Sequence, residues 1–148
     1  MDAQSRWAEA QARLAELLTT MTGDEYVVLG EPAPPAGEPQ GLLRRRAAPP
    51  PHRFVQFLRD GEELYGECVG ATLFGGEWEL GEADHQRVRA LGWLAPGDPD
   101  PSGTQPAVAH YWCTVPRENA AELAARGIGA LQVLGVDPGA LDWEHQTR

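Results

Sequence analysis

The residues that come nearest to a catalytic arrangement are His110 and Cys113. A thiol enzyme needs a histidine within hydrogen-bond reach of its cysteine and an acid that orients the histidine. Residues 108–115 are strongly β-prone, and an offset of three along a strand sends two side chains to opposite faces. We therefore interpret Cys68 and Cys113 as small buried hydrophobes rather than as nucleophiles, and we expect no disulfide.

Metal and nucleotide sites are not indicated either. The four histidines lie in four separate segments, and none has a cysteine or histidine partner at zinc-ligand spacing. His85 stands beside acids at the start of a helical segment, where charges are usually a solvated surface that compensates the helix dipole. Gly75-Gly76 lacks the motif of a phosphate loop, and the chain contains no lysine. We therefore expect no cofactor and no metal.

Clustered acids leave one hydrolase hypothesis open. Glu77 and Glu79 share a face if residues 73–80 form a strand, and Glu62 lies on the neighbouring hairpin. Nothing in the sequence supplies an apolar pocket that would separate the pKa values of these carboxyl groups. A solvated acidic surface is the favoured interpretation, and we expect a protein that is not an enzyme.

Composition and charge exclude several classes of partner. The 148 residues suit one compact domain, and 22 acids against 12 bases give a formal net charge of -10. This charge repels nucleic acids and anionic lipids. No segment is apolar for the length of a membrane span, and the first twenty residues do not resemble a signal peptide. We expect a cytoplasmic protein that binds neither nucleic acid nor membranes.

Hydrophobic spacing and turn residues predict the order of helices and strands. Helices are predicted over 2–21, 82–91 and 116–134, with Gly92 and Gly135 after the second and third. Strands are predicted over 26–29 and, in the centre of the sheet, over 108–115, with a further possible strand at 73–80. These elements predict a single α+β domain over 1–136.

Two segments are expected to lie outside the regular elements. Residues 30–51 contain seven prolines and predict a mobile loop, interrupted by a possible edge strand at 41–47. Residues 137–148 are expected to form a loose C-terminal tail.

The clearest local signal is a β-hairpin whose strands, 53–59 and 62–69, flank Asp60-Gly61. This pair suits a two-residue type I′ turn, which predicts that Phe57 faces Leu64 on the core side of the hairpin. The opposite side exposes more apolar surface than solubility requires, so we predict that it binds a partner. The candidate partner-binding residues are Phe54, Leu58, Tyr65 and the nearby Trp78.

A basic cluster adds a second candidate contact. Arg44, Arg45 and Arg46 could grip an acidic segment of a partner, although a solvated edge is the simpler interpretation.

Three strings resemble the TY-Chap superfamily, which joins Tir-type secretion chaperones with YbjN-like proteins. They are the five residues 53–57, the segment 80–93 that ends in Leu91-Gly92-Trp93, and His110-Tyr111-Trp112. The strings consist of hydrophobic, aromatic and turn residues, so they identify a scaffold and not a reaction. The resemblance implies a twisted antiparallel sheet with helices mainly on one face, in the order α-β-β-β-(β)-α-β-α. It also implies frequent dimers that bind partly unfolded clients.

Two functions follow as hypotheses. The first is a chaperone or adaptor that holds a client polypeptide through apolar surface. The second is a regulatory or immunity-type module that recognises one folded protein, with its acidic surface steering association. A homodimer is expected from the resemblance and from the small residues of the third predicted helix.

Overall fold

The computed structural model describes residues 2–32, 52–69, 81–96, 98 and 110–147. The described residues form three α-helices and one antiparallel sheet of five strands, whose order is β4-β3-β2-β1-β5. The helices are α1 (Ala3–Thr20), α2 (Glu82–Ala90) and α3 (Ala120–Leu134). The strands are β1 (Glu25–Gly30), β2 (Phe54–Asp60), β3 (Glu63–Val69), β4 (Tyr111–Pro116) and β5 (Asp142–Thr147). The predicted α+β class and element order are confirmed, and β5 is added to them.

All three helices cover the same face of the sheet. The buried stripe of α1 consists of Ala10, Leu14 and Leu18. These side chains and alternate residues of the strands pack together in one hydrophobic core. The middle helix, α3, contacts both other helices and three strands. Gly135 ends α3 with a φ of +78°, in the left-handed conformation that glycine adopts readily.

The hairpin of β2 and β3 has the predicted faces and a different register. Gly61 and Glu62 form its turn, and Phe57 lies opposite Gly66 rather than Leu64. The predicted register is wrong because Gly61, with a φ of +62°, takes the first turn position while Asp60 stays in β2. A type II′ turn needs a positive φ at that first position. The shift moves each partner by two residues, so every side chain keeps its predicted face.

Two predictions about strand position are wrong. Residues 142–147 form β5 instead of a loose tail, because Trp143 packs back onto α1 while the strand pairs with β1. Strand β4 lies at the edge of the described sheet, whereas the sequence predicted it in the centre. Leu94 protects this edge by exchanging two backbone hydrogen bonds with Trp112, at 2.8 and 2.9 Å. The predicted strands at 41–47 and 73–80, and most of the proline-rich segment, lie outside the described residues.

Helix α3 comes close to the sheet at Gly127. A Cβ atom there would lie 2.7 Å from Cζ of Phe57, whose ring is fully buried, and 3.3 Å from Leu14. A Cβ atom at Gly129 would instead meet the Cδ atoms of Leu91, at 2.8 and 2.9 Å, and that side chain is only half-buried. The two glycines therefore accept close packing against a rigid and a movable neighbour, respectively.

We expect Gly127→Ala to destabilise the protein by about 1–3 kcal/mol, because overpacking against Phe57 outweighs a gain in helix propensity of about 1 kcal/mol. Gly129→Ala has the same propensity gain, and Leu91 can turn aside, so its effect should lie within about 0.5 kcal/mol of zero or stabilise. Urea unfolding of both variants measures the difference. Equal effects would contradict this account of the packing.

Candidate functional site

The face of the sheet that points away from the helices, here called the outer face, carries the candidate binding residues. Leu58 on β2 lies between Tyr26 on β1 and Tyr65 on β3, and these three side chains form a row across the sheet. Phe54 lies opposite Val69 in a second row. All five side chains are half-buried. The structure thus brings Phe54, Leu58 and Tyr65 together on one face, while their role in binding stays a prediction.

A mixed row separates these two apolar rows. It contains Val28, Gln56, Glu67 and Trp112, one from each of four adjacent strands. The ring of Tyr65 stacks on Trp112 with 6.4 Å between centroids, and its hydroxyl donates a hydrogen bond of 3.0 Å to Glu67. Burial, and secondarily the neighbouring Glu67 carboxylate, raises the pKa of Tyr65, so this phenol stays neutral. These contacts fix the Tyr65 ring as part of a rigid surface.

The charged residues of the outer face are acids. On the described strands this face carries no basic residue, and its acids lie around the apolar rows: Asp60, Glu63, Glu67, Asp142 and Glu144. Tyr26 donates a hydrogen bond of 3.1 Å to Glu144, which also accepts one of 2.9 Å from Gln146. The outer face therefore combines apolar contact area with negative charge, a combination that suits an apolar segment with basic residues.

The cysteines lie in the core and not in a reactive site. Cys68 on β3 lies opposite Tyr111, and Cys113 on β4 lies opposite Gly66, so the two thiols are diagonal neighbours on the helix-facing side. Both are free and buried. Burial raises the pKa of Cys68 to about 12 and that of Cys113 to about 11. A protonated thiol is a poor nucleophile, and His110 precedes the strand that holds Cys113.

The environment of His85 differs from the one predicted from the sequence. It is the buried polar residue of the described core, with 6% of its surface exposed, and its Nδ1 lies 2.7 Å from the Tyr111 hydroxyl. The prediction of a solvated helix start is wrong for this residue because Tyr111, on β4, supplies a buried partner. The available signal was its spacing of three from Val88, which places both on the buried stripe of α2.

The remaining candidates are not assembled into a site by the described residues. Trp78, Arg44, Arg45 and Arg46, together with Glu77 and Glu79, lie outside them. The Glu62 side chain is 82% exposed in the hairpin turn and pairs with Arg59 and Arg117, each at 3.7 Å. Among the described residues no group of three metal-binding side chains comes together. None of the described helices is both long and apolar enough to cross a bilayer.

A comparison with models of known protein families identifies the family to which this fold belongs. The family model TY-Chap3, described as "T3SS (YopN, CesT) and YbjN peptide-binding chaperone 3", matches residues 2–146. The chain belongs to this family. The resemblance drawn from the three sequence strings is therefore confirmed. TY-Chap3 membership indicates a peptide-binding role and points to a protein that is not an enzyme. No curated protein and no solved structure gives a significant match.

We expect the free energy of unfolding of this TY-Chap3 protein to fall as the pH rises from about 8 to about 11. Unfolded thiols titrate near 9.0, whereas the buried thiols keep their protons to about 12 and about 11. Above the unfolded pKa the unfolded state therefore releases protons that the folded state retains, which favours unfolding. Urea midpoints of the wild type and of a Cys68→Ala/Cys113→Ala variant across this range measure the contribution.

The double variant should show a shallower decline, with the remainder due to tyrosines whose pKa burial also raises. The same slope in both proteins would contradict the assignment to the thiols.

Proposed function

We propose that this protein is a chaperone or adaptor that holds an extended, partly unfolded segment of a client polypeptide against its outer face. The observation that carries the proposal is the pair of apolar rows on that face, which the three described helices leave uncovered. Membership in a family of peptide-binding chaperones supports it.

The surface defines the chemistry of the client. Burying one large exposed apolar side chain is worth up to about 1.5–3 kcal/mol, so contacts with Leu58, Phe54 and Tyr65 together provide a driving force against the entropy cost of association. The surrounding carboxylates favour basic residues beside these apolar ones. The preferred client segment is therefore extended, apolar and basic, and it need not have a folded structure of its own.

We expect Leu58→Asp to weaken binding of an unfolded client at least tenfold, because a charge in the middle of the first apolar row opposes its burial. The probe is a disordered, amidated peptide of alternating leucine and arginine residues, which matches the apolar and basic client and carries a label for fluorescence anisotropy. Thr114→Asp is the matched control: it adds the same charge to the same row, at an exposed position on β4. It should change the dissociation constant less than about twofold.

A second variant keeps the proposal testable in case Leu58→Asp does not fold. Leu58→Thr places a neutral, β-branched residue on β2, which suits a strand, and it should weaken binding in the same direction. Unchanged binding by both folded Leu58 variants would contradict the proposal. If affinity capture from native lysate returned one folded partner, and salt strongly slowed association with it, the regulatory or immunity-type module would be the better description.

We further propose that the protein acts in the cytoplasm as a homodimer. Two free, buried thiols fit a reducing compartment. The small residues Ala121 and Ala125 lie four residues apart on the exposed side of α3, which suits close approach of a second helix. Light scattering at micromolar concentration should give a mass near 32 kDa, about twice the 16.1 kDa of the chain. A monomer mass throughout would contradict the dimer.

A further inference from the structure

Two glutamates differ from the other acids of the outer face. Glu67 on β3 and Glu144 on β5 are half-buried, whereas Asp60, Glu63 and Asp142 are exposed at the ends of their strands. Partial burial restricts a side chain, so a partner would meet these two carboxylates in defined positions.

A tyrosine hydroxyl holds each of the two carboxylates. Tyr65 donates to Oε1 of Glu67 at 3.0 Å, and Tyr26 donates to Oε1 of Glu144 at 3.1 Å. Gln146 donates a further hydrogen bond of 2.9 Å to the same oxygen of Glu144. In the part of the chain that the structure describes, Oε2 of both glutamates accepts no hydrogen bond, so it can accept one from a partner.

Neither carboxylate is paired with an arginine or a histidine of the described residues. The ion pairs found among them use other acids, which are Glu25, Glu31, Glu62, Asp84, Asp98 and Glu122. His145, the neighbour of Glu144, lies on the helix-facing side of the sheet and contacts Glu25 there. A half-buried carboxylate without a counter-ion favours a cationic group of a partner, because water and salt screen it less than an exposed one.

The sheet sets the distance between the two carboxylates. Strand pairing places them in one row that crosses β5, β1, β2 and β3, in the order Glu144, Val28, Gln56 and Glu67. Neighbouring strands lie about 4.8 Å apart, so the two glutamates are about 14 Å apart. Leu58 follows Gln56 by two residues on β2, so an apolar contact lies beside the middle of this row.

An extended peptide that lies across the strands matches this spacing. It rises about 3.4 Å per residue and sends alternate side chains to the same side, so side chains four positions apart are about 14 Å apart on one face. Basic side chains at the first and fifth positions would reach both carboxylates, and the third side chain would lie near Val28 and Leu58.

We propose that the outer face recognises a client segment in which two basic residues, four positions apart, flank an apolar residue at the midpoint. The basic side chains pair with Glu67 and Glu144, and the apolar side chain packs on Leu58. This assignment rests on the proposed function, since it specifies which extended segment that face holds. It makes Glu67 and Glu144 the residues that determine specificity.

Nuclear magnetic resonance titration with two peptides of the same composition tests the spacing. In acetylated and amidated Ser-Arg-Thr-Leu-Thr-Arg-Ser the arginines are four positions apart, and in Ser-Arg-Arg-Leu-Thr-Thr-Ser they are adjacent and point to opposite sides. Each is added to the ¹⁵N-labelled full chain while the backbone amide signals of Glu67 and Glu144 are followed. The spaced peptide should bind about fivefold more tightly, as expected for one additional charged contact at a partly exposed site.

Three variants assign this preference to the two carboxylates. Glu67→Gln and Glu144→Gln should each reduce it to less than about twofold, because both peptides then make a single charged contact. Glutamine preserves the shape of the side chain, so the lost preference reports the charge. Glu16→Gln removes the same charge from an exposed position on α1, on the other side of the sheet, and should keep the preference in full.

The outcomes separate this inference from the proposed function. Equal binding of the two peptides, or a preference that survives Glu67→Gln and Glu144→Gln, would overturn it and leave client holding intact, which the Leu58 variants test independently. A lack of response to either peptide would also overturn it. A change of the two signals on dilution of the protein alone would then identify a second copy of the chain as the occupant of the outer face.

Discussion

The ring of Phe57 occupies space that two glycines leave open. Gly127 of α3 lies above it, and Gly66 of β3 lies beside it, where an added Cβ would be 3.1 Å from the ring and 3.2 Å from Trp93. Because interiors pack to near-crystalline density, this contact sets the distance between α3 and the sheet. Helix α3 in turn contacts α1 and α2, so the whole helix layer is placed relative to β2 and β3 by one aromatic ring. The three described helices all lie on that side, and none of them covers the other face of the sheet.

Local patterns predicted the features that depend on neighbours in sequence. The helical spacing of Leu14 and Leu18 predicted α1. The alternation of side chains along the strands predicted that Phe54, Leu58 and Tyr65 share a face. Side chains along a strand alternate between its two faces, so a register shift of two residues leaves each side chain on the same face. The predicted faces were therefore right although the predicted register was wrong. The hairpin turn was mispredicted because Gly61 could occupy either the first or the second turn position, and the local sequence fits both.

The missed features all rest on contacts between distant segments. Trp143 holds β5 against α1, although the polar residues of 142–147 resemble a tail when read alone. His85 is buried because Tyr111, in a different element, offers a hydroxyl. Arg13 on α1 stacks on Trp143 on β5, which is a contact between residues far apart in the sequence. For the same reason the packing of α1 against β5 could not be predicted, whereas the outer face could.

The position of β5 in the sheet bears on how the chain folds during synthesis. Strand β1, near the N-terminus, pairs with β2 on one edge and with β5 on the other. While a ribosome makes this chain, α1 and β1 emerge early, yet the second edge of β1 lacks its partner until residues 142–147 have left the exit tunnel. An open strand edge is a template for pairing with other chains. Strand β1 therefore passes through a stage of synthesis in which one of its edges is open to pairing with other chains.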